Sequence, residues 1–145
     1  MSSFHRILVG WNGSTDSRHA LRTAARLGAE VGGEVVVLAV LKRQSRHEAA
    51  DEAAEEMLER RRQVVAEMAA EARRESFPTT VTLRHEVIEA DQTASALEAY
   101  VREHGFDLVV VGRHGVDRAL HPRVGGVSEY QVRHSSCPVM VVGSD

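Results

Sequence analysis

Short apolar runs that alternate with helix-like segments constrain the fold of this chain more than any other feature. Three of the runs contain only apolar residues: 7–9, 35–41 and 108–111. Unbroken runs of this length are typical of strands that are covered on both faces. The segments between the runs carry apolar residues at helical spacing. The order β-α-β-α-β-α-β-α-β therefore predicts an α/β fold, with an open five-stranded parallel sheet and helices on both of its faces.

Turn and capping residues mark the expected ends of the helices. Ser14 is predicted to cap the first helix, which should end near Gly32. A long amphipathic helix is predicted from about residue 48 to residue 75. Asp91 is predicted to cap the third helix, and Gly105 is predicted to end it.

The hydrophobic pattern of the remaining strands indicates which of them lie at the edges of the sheet. Val81, Leu83 and Val87 alternate with polar residues, which favours an edge strand with one face in water. A short helix is predicted from about 126 to 133, and the final strand from 139 to 142. That final strand is apolar throughout and would present an exposed edge if it stayed unpaired.

Composition and charge exclude several classes of protein. A chain of 145 residues suits a single domain, residues 1–145. The net charge of -3 and an aromatic content of 4% argue against a nucleic-acid-binding surface. No stretch approaches the ~18–20 consecutive apolar residues of a membrane helix, so we expect no membrane insertion. The run Arg60–Arg62 lies among glutamates and is interpreted as part of a solvated helix face.

The cysteine and histidine content gives further expectations. Cys137 is the only cysteine and cannot form an internal disulfide, which favours a reducing cytoplasm. It precedes Pro138 at the start of a strand, where a packed, inert thiol is expected. Residues 1–6 contain no charged-then-apolar leader, so no secretion signal is expected and a cytoplasmic location is predicted. The eight histidines include no pair at the helical zinc-binding spacing, and no metal site is predicted from them.

Two glycine-rich loops are the candidate functional features. In open parallel sheets, ligands bind beyond the carboxyl ends of the strands, where the strand order reverses. The first loop is 10–14, and the second begins at 112–115 and closes with 125–128 at a helix start. Glycines allow close approach of a ligand to the backbone, and a helix start favours phosphate. Spacing alone leaves two interpretations open, because loop glycines also form turns.

Three segments resemble the universal stress protein family: ILVGWNGS at 7–14, FDLVVVGRHG at 106–115 and GGVSEYQVRHSSCPVMVV at 125–142. The resemblance extends in order over nearly the whole chain. The nucleotide-binding branch of this family carries Gly-x2-Gly-x9-Gly-Ser/Thr, and Gly112, Gly115 and Gly125 stand at that spacing. The resemblance implies a Rossmann-like fold of the adenine nucleotide alpha hydrolase type, with strand order 3-2-1-4-5.

The same resemblance implies roles for individual residues in binding ATP or AMP. Val40 would present backbone groups to the adenine, while Gly10 and Asn12 would flank the base and the ribose. The residues implied in holding the phosphates are Gly112, Gly115, Gly125, Gly126, Val127 and Ser128. Arg113, His114 and Arg123 are candidates for further phosphate contacts, with solvated loop positions as the alternative.

Two positions depart from the family pattern. Asn12 stands where nucleotide-binding members usually have Asp, so the first loop brings no negative charge. A divalent metal is therefore expected only together with a bound nucleotide. Gly126 stands where the pattern has Ser or Thr, which removes one hydroxyl. The loss of one neutral hydrogen bond would weaken binding roughly 2- to 13-fold.

The sequence thus supports a regulatory protein of the stress response that binds an adenine nucleotide with little or no turnover. No general base or nucleophile stands near the glycine loops, so no catalytic residue is predicted. The alternatives are a homodimeric interaction module with a degenerate site, and a weak ATPase. The resemblance also implies a homodimer that pairs through the last strand, 139–142.

Overall fold

A computed structural model describes residues 4–43, 50–75, 77, 80–113 and 126–143. Five strands and four helices alternate along this part of the chain. The strands are β1 Arg6–Trp11, β2 Glu34–Lys42, β3 Thr82–Ala90, β4 Leu108–Gly112 and β5 Val139–Val142. The helices are α1 Thr15–Val31, α2 Ala50–Glu75, α3 Thr93–His104 and α4 Gly126–His134.

The strands form one parallel sheet in the order β3-β2-β1-β4-β5. This confirms the predicted fold class and strand order. In the centre of the sheet, Val9 of β1 stands opposite Val37 of β2 and Val110 of β4. All three side chains are fully buried, as the unbroken apolar runs predict.

Each face of the sheet carries its own apolar core. On one face α1 and α2 cover the sheet, and their Leu21 and Met68 are completely buried. On the other face α3 contributes Leu97 and Val101. The odd-numbered residues of β1 point to the first core, and the even-numbered Leu8 points to the second. This alternation puts helices on both faces of the sheet.

The predicted caps are confirmed at three of four positions. The Ser14 hydroxyl accepts a hydrogen bond from the Ser17 N–H at 3.1 Å, and Gly32 ends α1 in the left-handed region with φ of 64°. Gly105 ends α3. The prediction for Asp91 is wrong, because α3 begins after Gln92, and the Asp91 carboxylate lies 3.5 Å from the guanidinium of Arg43.

The arginine run in α2 also differs from its interpretation. Arg60 donates to the Lys42 carbonyl at 3.2 Å, and Arg61 donates to the Val87 carbonyl at 2.6 Å. These two side chains therefore connect α2 to β2 and β3 by hydrogen bonds. Arg62 pairs with Glu59 on the solvated face at 3.8 Å. For Arg60 and Arg61 the interpretation is incomplete, because these partly exposed side chains also reach backbone acceptors, which charge content alone does not show.

Two edges bound the sheet. β3 forms one edge, as its alternating pattern predicts, and β5 forms the other. Each residue of β5 is partly exposed. Within the described ranges, no helix combines the length and the apolar character needed to cross a membrane.

Candidate functional site

A cleft with a cavity volume of about 140 Å³ opens at the carboxyl ends of β1, β2 and β4. Strand β1 lies in the middle of these three. The order of the strands reverses there, because β2 and β3 continue the sheet on one side of β1 and β4 and β5 continue it on the other. Open α/β sheets bind ligands at such switch points. Its described lining is Gly10, Trp11, Asn12, Ser17, Leu38, Val40, Thr93, Leu97, Val111, Gly112, Gly126, Val127 and Ser128.

Most of the site residues predicted from the sequence meet in this one cleft. Both glycine-rich loops contribute to it, the first after β1 and the second where α4 begins. The predicted residues that line it are Gly10, Asn12, Val40, Gly112, Gly126, Val127 and Ser128. Four further candidates lie outside the described residues: His114, Gly115, Arg123 and Gly125.

Arg113 is described, and it lies away from the described lining. Its backbone N–H donates to the Val142 carbonyl at 2.8 Å, which extends the pairing of β4 with β5. Its guanidinium packs directly over Gly143, at a place that a Cβ on that residue would occupy. The absence of a side chain at Gly143 therefore leaves space for the Arg113 guanidinium beside the end of the sheet.

The floor of the cleft is apolar. It is formed by Leu38 and Val40 from β2, Val111 from β4 and Leu97 from α3. These side chains belong to the core on the α3 face of the sheet, so the floor continues that core to the surface. A flat apolar group can be held on such a floor by burial alone.

Two glycines of the cleft, Gly112 and Gly126, differ in the space that their surroundings leave for a side chain. A Cβ on Gly112 would lie 2.7 Å from the Cβ of Asp16 and 3.0 Å from the backbone nitrogen of Ser17. Gly112 is therefore required by the close packing of α1 on the end of β4. Among the described residues, a Cβ on Gly126 would meet nothing within 4 Å. Of these two glycines, only Gly112 is required by a close contact with described residues.

Asn12 shapes the turn that leaves β1. Its Oδ1 accepts a hydrogen bond from the Ser14 N–H at 3.0 Å, which is the local turn that Asn and Asp commonly form. The side chain carries no charge. The described lining of the cleft contains no carboxylate, and the described residues include no cluster of three potential metal ligands.

Polar side chains of α4 fix the helix start beside the cleft. The Ser128 hydroxyl donates to the Gly112 carbonyl at the end of β4. One turn further, Gln131 donates from Nε2 to the Ala94 carbonyl of α3 at 2.9 Å. Both Ser128 and Gln131 are almost completely buried. The first turn of α4, with its free amides, is thereby held against the mouth of the cleft.

Several lining residues were not predicted from the sequence. These are Trp11, Ser17, Leu38, Thr93, Leu97 and Val111. From the sequence, Leu38, Leu97 and Val111 are expected to be core residues, and in the structure they do belong to the core. Only the arrangement of the strands and helices shows that they also line a surface cleft. Thr93 stands at the start of α3, and no motif marks it.

Cys137 lies apart from the described lining of the cleft and is partly buried. Burial raises the pKa of its thiol, and the carboxylates of Glu98 and Asp107 act in the same direction. The Ser135 hydroxyl opposes them. A raised pKa lowers the thiolate fraction at neutral pH, which agrees with the expected inert thiol.

The family model described as "Universal stress protein family" matches residues 3–143. No curated protein sequence matches the chain significantly. Among solved structures, the universal stress protein UspA from Lactobacillus plantarum superposes with a TM-score of 0.80 at 22% identity, over 98% of this chain and 99% of that one. This likeness concerns the fold.

Two further solved structures are described with an adenine nucleotide. A universal stress protein in complex with cAMP has a TM-score of 0.65 at 19% identity, over 99% of this chain and 100% of that one. A universal stress protein family protein from Arabidopsis thaliana with AMP bound has a TM-score of 0.65 at 17% identity, over 97% and 92% of the two chains. The fold is therefore one that holds adenine nucleotides in some proteins.

Proposed function

The chain belongs to the universal stress protein family, and from this premise we propose that its cleft binds an adenine nucleotide, AMP or ATP, in a regulatory role with little or no turnover. The observation that carries the proposal is the meeting of an apolar floor and a helix start in one cleft at the switch point of the sheet. The floor suits a base, and the helix start suits a phosphate.

The arrangement of the cleft supports a definite orientation of the nucleotide. The base lies on Leu38, Val40 and Leu97, where burial of its apolar faces stabilises it. The phosphate lies at 126–128, where the amides of the first turn of α4 point outward and the helix dipole favours negative charge. Asn12 lies between these two ends, because β1 stands between β2 and β4. It therefore faces the sugar.

The regulatory role rests on the chemistry of the described lining. It contains neither a carboxylate nor a histidine that would serve as a general base for water. Backbone amides and apolar contacts can hold a nucleotide, but they supply no base to deprotonate an attacking water. A divalent metal, where present, would be carried by the phosphates of the nucleotide.

The test of the proposal begins with freshly purified protein, which is denatured so that released nucleotides can be identified by mass spectrometry. The protein stripped of nucleotide is then titrated with AMP, ATP and cyclic AMP by calorimetry. Saturable binding of at least one of them is expected. If none binds, the proposal fails, and the alternative of an interaction module with a degenerate site is supported.

A blocking variant tests where the nucleotide binds. None of the described residues lies within 4 Å of a Cβ at position 126, so Gly126→Leu should preserve the fold while its side chain obstructs the phosphate position at the mouth of the cleft. We expect at least a tenfold loss of affinity with an unchanged circular dichroism spectrum. Unchanged affinity would mean that the nucleotide binds elsewhere.

We further propose that the protein forms a homodimer through β5. This strand is an edge of the sheet, and its four apolar residues are partly exposed. An unpaired apolar edge favours pairing with a second strand. A second copy of the chain supplies an identical strand, and pairing across a two-fold axis closes both edges at once.

A further inference from the structure

The helix that begins beside the phosphate position, α4, is attached to the rest of the molecule through polar side chains. The structure describes every residue of this helix, and the two that are buried, Ser128 and Gln131, are both polar. Its apolar Val132 is largely exposed. The helix packs on α3 and β5. Directed hydrogen bonds therefore contribute more to the position of α4 than the burial of apolar side chains does.

Gln131 connects α4 to the start of α3. Its side chain is completely buried, and its Nε2 donates to the Ala94 carbonyl at 2.9 Å. Ala94 follows Thr93, which lines the cleft, and Ser128 lines the cleft one turn before Gln131. Gln131 itself stays outside the described lining. One hydrogen bond therefore joins the two helix ends that border the cleft.

The stability of the fold does not explain an amide at position 131. Its Oε1 has no hydrogen-bond partner in the described part of the chain, and a buried acceptor without a partner lowers stability. The Ala94 carbonyl does not depend on Gln131, because within a helix it also accepts from the N–H four residues later. An apolar side chain of similar length would fill the same space without the unpartnered oxygen. A buried amide that costs stability indicates a functional role.

We propose that Gln131 is a positioning residue for the nucleotide phosphate, which it serves by fixing the first turn of α4. The proposal rests on the nucleotide-binding function proposed above. The Ser128 hydroxyl bonds to the Gly112 carbonyl, and Gln131 bonds to the Ala94 carbonyl one turn later. Because hydrogen bonds are directional, these two contacts fix both the place and the rotation of α4.

The rotation of α4 decides where the amides of 126–128 point. Hydrogen bonds from these amides to a charged phosphate are strong only when they are well aligned. An apolar side chain at 131 would let α4 shift along α3 and would leave the floor of the cleft unchanged, because the floor belongs to other elements. Gln131 should therefore affect the affinity for the phosphate and not the affinity for the base.

The experiment titrates wild type, Gln131→Met and Gln131→Leu with AMP, and measures adenosine binding by competition with AMP. Both variants have an apolar side chain of similar volume that cannot donate, and two shapes reveal a packing artefact of either one. Adenosine keeps the base and the ribose but has no phosphate. We expect both variants to bind AMP about tenfold more weakly, the contribution of one hydrogen bond to a charged group, and adenosine within about twofold of wild type.

The melting temperature without ligand separates positioning from a structural role. Both variants remove an unpartnered buried oxygen, so they should melt at or above the temperature of wild type. Gln63→Met, on the exposed face of α2, is the matched control, since it makes the same change of side chain far from α4 in the sequence. It should bind AMP and adenosine as wild type does.

The outcomes separate this proposal from the one on which it rests. If wild type binds no adenine nucleotide, both fail. If wild type binds AMP and both variants bind it equally well, or if they lose AMP and adenosine by the same factor, only the role of Gln131 is overturned. A lower melting temperature of both ligand-free variants would also overturn it, because Gln131 would then stabilise the fold itself.

Discussion

Gly126 stands at the start of α4, and no other described residue lies within 4 Å of the place that a Cβ would take there. We expect Gly126→Ser to raise AMP affinity roughly 2- to 13-fold, because the hydroxyl restores one hydrogen-bond donor at the phosphate position. Calorimetric titration measures the change.

The control for this prediction is Gly126→Ala. Alanine favours the helix over glycine as serine also does, but it adds no hydroxyl. An equal gain in both variants would show that the effect comes from the stability of α4 and would contradict the role given to the hydroxyl.

His85 lies in the edge strand β3 and is half-buried, and its Nε2 has no hydrogen-bond partner within the described residues. Burial lowers the pKa of His85 from its ordinary value of 6.5. The unfolded chain therefore binds a proton at a higher pH than the folded chain does. The contribution of His85 to the free energy of unfolding is complete above pH 6.5 and is lost as the pH falls through the lowered folded value.

His85→Gln should remove this part of the pH dependence. Urea unfolding at several values between pH 5 and pH 8 measures the free energy of unfolding for both proteins. The wild type should lose more stability than the variant below pH 6.5, and the difference between them should stay constant above pH 7.5, where the imidazole is neutral in both states. Parallel curves over the whole range would refute the assignment.

Within the strand β5, neighbouring residues point their backbone groups in opposite directions. The Pro138 carbonyl accepts from Val109 of β4, and the Val142 carbonyl accepts from Arg113 just after β4. The backbone groups of Val139 and Val141 therefore face the open edge. Val141→Pro removes one outward N–H and leaves the pairing with β4 intact. We expect this variant to be monomeric where the wild type is dimeric, as measured by light scattering after size-exclusion chromatography.

Val141→Ala is the companion variant for the dimer prediction. It keeps the backbone N–H and removes most of the side chain. It should therefore remain dimeric if backbone pairing holds the copies together. A monomer in both variants would point to side-chain packing, and a dimer in both would place the interface elsewhere.

At the level of elements, the sequence predicted those ends that depend on local chemistry. Ser14 and Gly32 act within one helical turn, and both were predicted correctly. Asp91 was not, since α3 begins at Thr93; its carboxylate instead pairs with Arg43, a partner 48 positions away that no local rule reveals. The same holds for Arg61, whose acceptor lies on β3. Long-range partners are fixed by the packing of α2 on the sheet rather than by neighbouring sequence.

For the cleft as a whole, the backbone positions that line it were predicted, whereas Val40 was the one floor residue predicted. Glycines at the ends of strands are visible in a sequence, so Gly10 and Gly112 were identified. Leu97 and Thr93 are not distinguishable from other helix residues until the sheet order places α3 beside β2. The parallel sheet itself followed from the alternation of apolar runs, whereas its strand order was implied only by the family resemblance.

Nucleotide binding should stabilise the whole molecule, since only the folded chain contains the cleft. At a free AMP concentration 100 times the Kd, the free energy of unfolding should rise by about 2.7 kcal/mol. For a chain of this size the melting temperature should rise by on the order of 5–10 °C. Differential scanning calorimetry measures both. An equal shift with cytidine monophosphate would indicate binding of phosphate without recognition of the base.

Trp11 ends β1 at the border of the cleft, and its indole is packed with the core under α1 and α2. It is the only tryptophan of the chain. The molecule thus carries a single tryptophan fluorophore, one residue before Asn12 and shielded from water. Any rearrangement of the first loop on ligand binding should alter its emission, so that occupancy can be followed optically, in real time and without a label.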